Sequence, residues 1–234
     1  MDRFRELVAL IQAEYSCDRF FANYDQKLTV PELGDDYRTY ERTLHFLDPE
    51  SWAELRTKAV KHFMDQRPGQ LKQGFFNQLN DAFAYRHLVR RGYRQVRVLR
   101  ENSKTQPDLE YFDGCERLFC EVKTLGLSDL EIARRHVPRR FRSSIYYQLD
   151  ECFLSKLRST LDVAQNQISA RGSGMVYLIM HFDDFTLEHY DNYRKQVHSC
   201  LQEHTANNVY VQVGLRGRRH IEKAPKNTGS GLHI

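Results

Sequence analysis

The hydrophobic period of the chain changes at Gly92, and that change limits the folds open to it. Before it, apolar residues recur at three and four positions, the spacing of amphipathic helices. Trp52, Leu55, Val60 and Phe63 mark one helix, introduced by Pro49 and by Ser51 and Glu54 at capping-box spacing. Pro68 and Gly69 break the pattern. A second helix is expected from Leu71 to Arg91, with Phe75, Phe76, Leu79, Ala82, Phe83 and Val89 as its buried stripe and Gly92 as its end. Thr29 to Asp36 reads as a loop between shorter helices.

After Gly92 the period becomes that of strands. Tyr93 to Arg100 alternates as a half-buried strand, and Asp108 to Phe112 and Leu118 to Leu125 form a pair around a turn at Asp113 and Gly114. Leu154, Leu157, Leu161, Ala164 and Ile168 predict a long helix over 149–170. Met175 to Phe182 is apolar without alternation, as a strand buried on both faces would be. A helix from Leu187 to Glu203 and a strand from Val209 to Leu215 follow. The order, helices and then α-β-β-β-α-β-α-β, predicts an α/β protein with a mixed central sheet flanked by helices. Three regions are expected: a helical N-terminal region over 1–66, an α/β core over 67–216, and a basic flexible tail over 217–234.

With 234 residues, 41% of them hydrophobic, the chain can bury a sizeable core. The longest apolar run is the six residues from Met175 to Met180, too short to cross a membrane, so no membrane partner and an intracellular, cytoplasmic location are expected. Five dispersed cysteines without a CxxC pair point to neither a disulfide framework nor a structural zinc site, and no HExxH occurs among the ten histidines.

Charge is unevenly distributed. Residues 1–50 carry a balance of −5 and the rest of the chain +9. Arg86, Arg90, Arg91, Arg94, Arg97 and Arg100 run without an intervening acid; Arg134, Arg135, Arg139, Arg140 and Arg142 form a second cluster; Arg216, Arg218, Arg219, Lys223 and Lys226 form a third. Such clusters suit a polyanionic partner, although a solvated surface is the plainer reading of any one of them.

The stretch TQPDLEYFDGCERLFCEVKTL, residues 105–125, carries the candidate chemistry. If its turn is a four-residue loop over 113–116 with Phe112 opposite Arg117, counting back places Asp108 directly across from Glu121, with Cβ atoms roughly 4.5–5.5 Å apart. A two-residue turn at Asp113 and Gly114 would instead set Asp108 opposite Phe119, on the same face. In either register Glu121 and Lys123, two apart on a strand, project from one face. Two carboxylates so placed suit a hard cation such as Mg²⁺ or Mn²⁺, and the neighbouring lysine suits charge developing on a phosphodiester.

From Phe76 to about Phe182, the segments RRGYRQVRVL, QPDLEYFDG and LFCEVKTL resemble the core of the PD-(D/E)XK nuclease superfamily, the restriction-endonuclease-like fold of many restriction enzymes and Holliday-junction resolvases. The resemblance covers nearly half the chain. It implies that Asp108 and Glu121 bind the metal with help from the Val122 carbonyl, and that Lys123 serves the attacking water. It also implies an acid, usually Glu, on the preceding helix. Here the only acid over 75–91 is Asp81, with Gln78 one turn earlier, and Asp81 could equally be a surface helix charge. Lys156 and Gln167, eleven residues apart on the following helix, match a further Lys and Gln of the family, and a solvated face accounts for them nearly as well.

The expected function is therefore a Mg²⁺- or Mn²⁺-dependent endonuclease acting on DNA ahead of RNA. Asp108, Glu121, Lys123 and Asp81 are its catalytic candidates, and Arg86, Arg90, Arg134, Arg135, Arg139, Arg140, Lys156 and Gln167 its nucleic-acid contacts. The alternatives are an RNA-directed nuclease, or a nucleic-acid-binding or assembly module that keeps the fold and works through a partner protein. The acidic N-terminal region is the candidate surface for such a partner or for a homodimer.

Overall fold

The computed structural model describes residues 2–66, 69–101, 106–137 and 143–224. The chain is an α/β protein in which a helical N-terminal region leads into a six-stranded mixed sheet, strand order β1-β2-β3-β4-β5-β6, interleaved with helices. It divides into two compact units at Val122, inside the third strand.

The first unit opens with helices α1 (Arg3–Glu14), α2 (Tyr24–Lys27), α3 (Pro31–Leu44) and α4 (Pro49–Lys61). Helix α3 begins inside the stretch 29–36 expected to be a loop. Proline needs no amide partner at the first helical position, so Pro31 starts the helix. Gly34 is required within it, because a Cβ there would collide with the Leu28 carbonyl. Helix α4 is capped by Asp48, whose carboxylate accepts the Ser51 amide at 2.8 Å, while Pro49 takes the first helical position. The cap thus lies three residues before Ser51. Ser51 is left to join α4 to the sheet: its hydroxyl donates to Asp48 at 3.0 Å and accepts the Val98 amide at 3.1 Å.

The single helix expected over 71–91 is two, α5 (Gln73–Leu79) and α6 (Asp81–Arg90), divided at the buried Asn80. The Phe83 amide donates to the Asn80 carbonyl at 3.0 Å, a tight three-residue turn, and asparagine is a weak helix former. Of the expected stripe, Phe75, Leu79, Ala82 and Phe83 are buried, whereas Val89 is 38% exposed, off the inward face set by Tyr85 and Leu88. Rings from α1, α3 and the loops after α1 and α4 meet around Phe75 of α5: Phe4 contacts Tyr37 and Phe75, and Phe63 contacts Phe21 and Phe75. The N-terminal helices therefore share one aromatic core with the helices that lead into the sheet.

Strands β1 (Arg94–Val98), β2 (Leu109–Asp113) and β3 (Glu116–Leu125) are antiparallel. A one-residue slip in the β1–β2 ladder falls between Arg94 and Arg97, where Gln95 adopts φ +48°, as a β-bulge does.

In the second unit, helix α7 (Asp129–Arg135), a 3₁₀ turn (Ser143–Tyr146) and helix α8 (Glu151–Ser169) precede strand β4 (Gly174–Met180). β4 is buried from Met175 onward and pairs in parallel with β5 (Val209–Val213), the crossover being helix α9 (Tyr190–Glu203). Strand β6 (Arg219–Lys223) lies in the stretch expected to be a flexible tail and pairs antiparallel with β5. Its single inward aliphatic residue, Ile221, gave little strand signal. Lys223 is nonetheless buried there, because its ammonium donates to the Leu201 and His204 carbonyls at the end of α9, at 2.7 and 2.6 Å. Among the described residues no helix is long and apolar enough to cross a membrane.

Asp48 caps α4 and also accepts the Tyr85 hydroxyl at 2.9 Å. Asp48→Ala is therefore expected to cost about 1–2 kcal/mol in urea denaturation, and a loss below about 0.3 kcal/mol would show that the cap does not anchor α4.

Candidate carboxylate and lysine site

The β2–β3 ladder pairs Leu109 with Cys120, Phe112 with Arg117 and Asp113 with Glu116, closing on Gly114 and Cys115 with Gly114 at φ +59°. The connection is tighter than a four-residue loop, but the register is the one that sets Phe112 opposite Arg117. Continued unbroken one residue beyond Leu109, that register would place Asp108 across from Glu121. At that end the pairing shifts by one residue: the Asp108 amide donates to the carbonyl of Cys120, which also pairs with Leu109, so Asp108 lies beside the Cys120–Glu121 step of β3 at a bulge-like irregularity. The Asp108 carboxylate then reaches along β3 and accepts the Val122 amide at 2.8 Å. Glu121 is 1% exposed, and the Asp108 side chain 26%.

Two helices contribute further charge. Asp81, in the first turn of α6, is 3% exposed, so the surface-charge reading of this residue does not hold. It faces Lys58 of α4, itself 5% exposed, whose ammonium lies 3.5 Å from one Asp81 oxygen and 4.0 Å from an Asp108 oxygen. Burial alone would lower the pKa of Lys58. The charges of Asp81 and Asp108 and the hydrogen bond to Asp81 outweigh it and raise the value, so the lysine is held protonated.

Lys58 was not among the residues expected at the site. Its one sequence signal is position: Ser51, Leu55 and Lys58 stand at i, i+4 and i+7, which puts a lysine in the inward stripe of α4. Only the packing of the fold shows which acids it meets.

Lys123 follows Glu121 by two residues on β3 and belongs to the second unit, where it is half-buried. Its ammonium donates to the Gln167 side chain of α8 at 2.7 Å, which brings together two of the residues singled out from sequence. Lys156 is exposed, and the eleven residues from it to Gln167 span roughly 16 Å of helix.

The arginines are divided. Arg86 donates to the Thr43 hydroxyl at 2.9 Å and lies over Phe83. Arg90 is exposed, over the ring of Phe46. Arg134 and Arg135 both bind Glu131, a carboxylate only 2% exposed, at 2.7 and 2.8 Å. Arg139 and Arg140 lie outside the described residues.

Among the described residues no group of three or more His, Cys, Asp or Glu side chains is arranged to hold a metal ion. What is present is a pair of hard oxygen donors on neighbouring segments, Asp108 just before β2 and Glu121 within β3. In kind this fits Mg²⁺ or Mn²⁺, which take one or two protein carboxylates and complete their shell from water and substrate phosphate. No family model, curated protein or solved structure matches the chain.

The Glu131 cluster yields a pH test in the second unit. Burial would raise the Glu131 pKa, but Arg135, the Tyr146 hydroxyl and Arg134 all donate to it and hold it below the ordinary 4.5. A depressed carboxyl value gives stability that is complete above the ordinary pKa and lost as pH falls through the folded value. Glu131→Gln is therefore expected to be less stable than the parent at pH 7, with the gap narrowing below pH 4.5 in urea denaturation. A gap constant down to pH 3 would contradict the ion pairing.

Proposed function

We propose that this chain is a divalent-metal-dependent endonuclease of restriction-endonuclease-like fold, hydrolysing phosphodiester bonds in DNA. The observation that carries the proposal is the β2–β3 hairpin, in which Leu109 pairs with Cys120 and the Asp108 carboxylate accepts the Val122 amide, so that Asp108 lies beside the stretch of β3 that carries Glu121 and, two residues on, Lys123. In support, the sequence segments that resemble the PD-(D/E)XK core lie on β1, β2 and β3, and the helix acid of that pattern, Asp81, turns inward.

Asp108 and Glu121 would hold Mg²⁺ or Mn²⁺, with the Val122 carbonyl beside them. When bound, the ion supplies the Lewis acidity that phosphodiester hydrolysis needs. Lys123, oriented by Gln167, stabilises negative charge developing on the scissile phosphate and positions the attacking water. Arg90 and Lys156, both exposed, contact the DNA backbone, whereas Arg134 and Arg135 are engaged first with Glu131 and serve mainly to hold α7.

Supercoiled plasmid and single-stranded oligonucleotides incubated with Mg²⁺ or Mn²⁺ test the proposal. Cleavage is expected to need the metal and to fall about 10²-fold or more in Asp108→Ala, Glu121→Ala and Lys123→Ala. Cleavage that survives both Asp108→Ala and Lys123→Ala would remove the site.

Lys58 favours a second reading. It places a permanent cation against Asp81 and Asp108, which suits a module that binds nucleic acid or a partner protein with no metal and no turnover. Tight binding of oligonucleotides in EDTA, with no cleavage under any metal, would favour that reading.

A further inference from the structure

The nuclease chemistry proposed above assigns no role to Lys58, although this side chain touches one of the proposed metal ligands. Three features of its setting make it more than a buried ion pair. First, its two acids come from different elements: Asp81 heads α6, and Asp108 stands just before β2. One ammonium therefore ties a helix to the strand that carries the site. Second, the distances of 3.5 and 4.0 Å lie at or beyond the limit of a hydrogen bond, so charge rather than tight bonding holds the ammonium there. Third, its helix is fixed independently, by the Asp48 cap and by the bond from the Val98 amide to Ser51. The long flexible lysine stem is thus the movable part of a rigid setting.

We propose that Lys58 is a positioning residue that acts as the built-in counter-ion of this site, holding Asp81 and Asp108 in place and competing with a divalent cation for them. The inference rests on reading Asp108 as a metal ligand. Without a metal, Asp81 and Asp108 both stand at the Lys58 ammonium, at 3.5 and 4.0 Å, with Glu121 on the neighbouring strand; like charges so gathered repel, and the ammonium offsets the repulsion. A divalent ion brought to Asp108 meets a positive charge already in contact with that carboxylate. Binding then requires the lysine to withdraw toward Asp81 alone. The consequence is a site whose metal affinity is set below what its carboxylates alone would provide.

Binding of Mn²⁺ to the full chain at pH 7.5, followed by the electron paramagnetic resonance signal of unbound Mn²⁺, tests this without reference to cleavage. Lys58→Met removes the charge, and Lys58→Gln removes it while keeping a donor for Asp81, so that a folded neutral variant remains if methionine leaves Asp81 too poorly satisfied. Either neutral variant is expected to bind Mn²⁺ about tenfold or more tightly than the parent. Lys58→Arg, which keeps the charge, is expected to stay near the parent, and Asp108→Asn to weaken binding throughout. Unchanged or weaker binding by Lys58→Gln, with Asp108→Asn still lowering affinity, would overturn the role of Lys58 and leave the metal-ligand reading standing. Absence of Mn²⁺ binding in the parent and in every variant would overturn both.

Discussion

Five paired positions between β2 and β3 set the terms for everything proposed of this protein. Side chains alternate along a strand, so a slip of one residue throughout the ladder would turn its inward side chains to the opposite face. The register is held at one end by Gly114 in the turn and along its length by the burial of Leu109, Tyr111 and Cys120, and at the far end the Asp108 amide shares the Cys120 carbonyl, which shifts the pairing by one residue. A gap of a dozen residues in sequence thereby becomes adjacency across a hairpin. The Asp108 carboxylate fixes itself further by accepting the Val122 amide, so its position is set by backbone on both strands.

The helices then decide the electrostatics of that hairpin. A charge taken out of water needs partners, and removing one member of a buried pair typically costs about 3–5 kcal/mol because the other is left uncompensated. Lys58 and Asp81 meet that requirement for each other, and Asp108 joins them at the outer edge. Well-packed apolar residues could fill the same volume at no loss of stability. Three buried or half-buried charges retained at one point are the kind of local conflict that accompanies a functional site. The first unit thus spends part of its packing on a charged cluster that its aromatic core, built around Phe4, Phe21, Phe63 and Phe75, does not need.

Much of this was legible in the sequence, and the parts that were not share a physical cause. Counting back from Phe112 opposite Arg117 gives Leu109 opposite Cys120, as observed, because strand register is arithmetic once one pair is known; the one-residue shift at Asp108 has no such signal. The non-alternating run from Met175 is buried throughout, and the 3–4 spacing of Leu157, Leu161, Ala164 and Ile168 marks the inward face of α8. Local competition hid other features: Asp48 displaced Ser51 as the cap, Pro31 began a helix inside an apparent loop, and Asn80 divided one helix into two. Tertiary partners hid the rest. Lys58 looks like any lysine on an amphipathic helix until α6 and β2 are placed against it. Arg134 and Arg135 look like a basic patch until Glu131 is found buried between them, and β6 needed the end of α9 to accept Lys223.

The proposed nuclease chemistry stands or falls on whether Asp108 and Glu121 hold one cation between them. A crystal of the protein grown or soaked with Mn²⁺, and measured for anomalous scattering, tests it most directly. An anomalous peak is expected within about 2.0–2.2 Å of oxygens of both Asp108 and Glu121, close to the distance of Mg²⁺ to its oxygen ligands, with the Lys58 ammonium drawn back toward Asp81. Saturating Mn²⁺ with no peak between the two carboxylates, and Lys58 still in contact with Asp108, would contradict it.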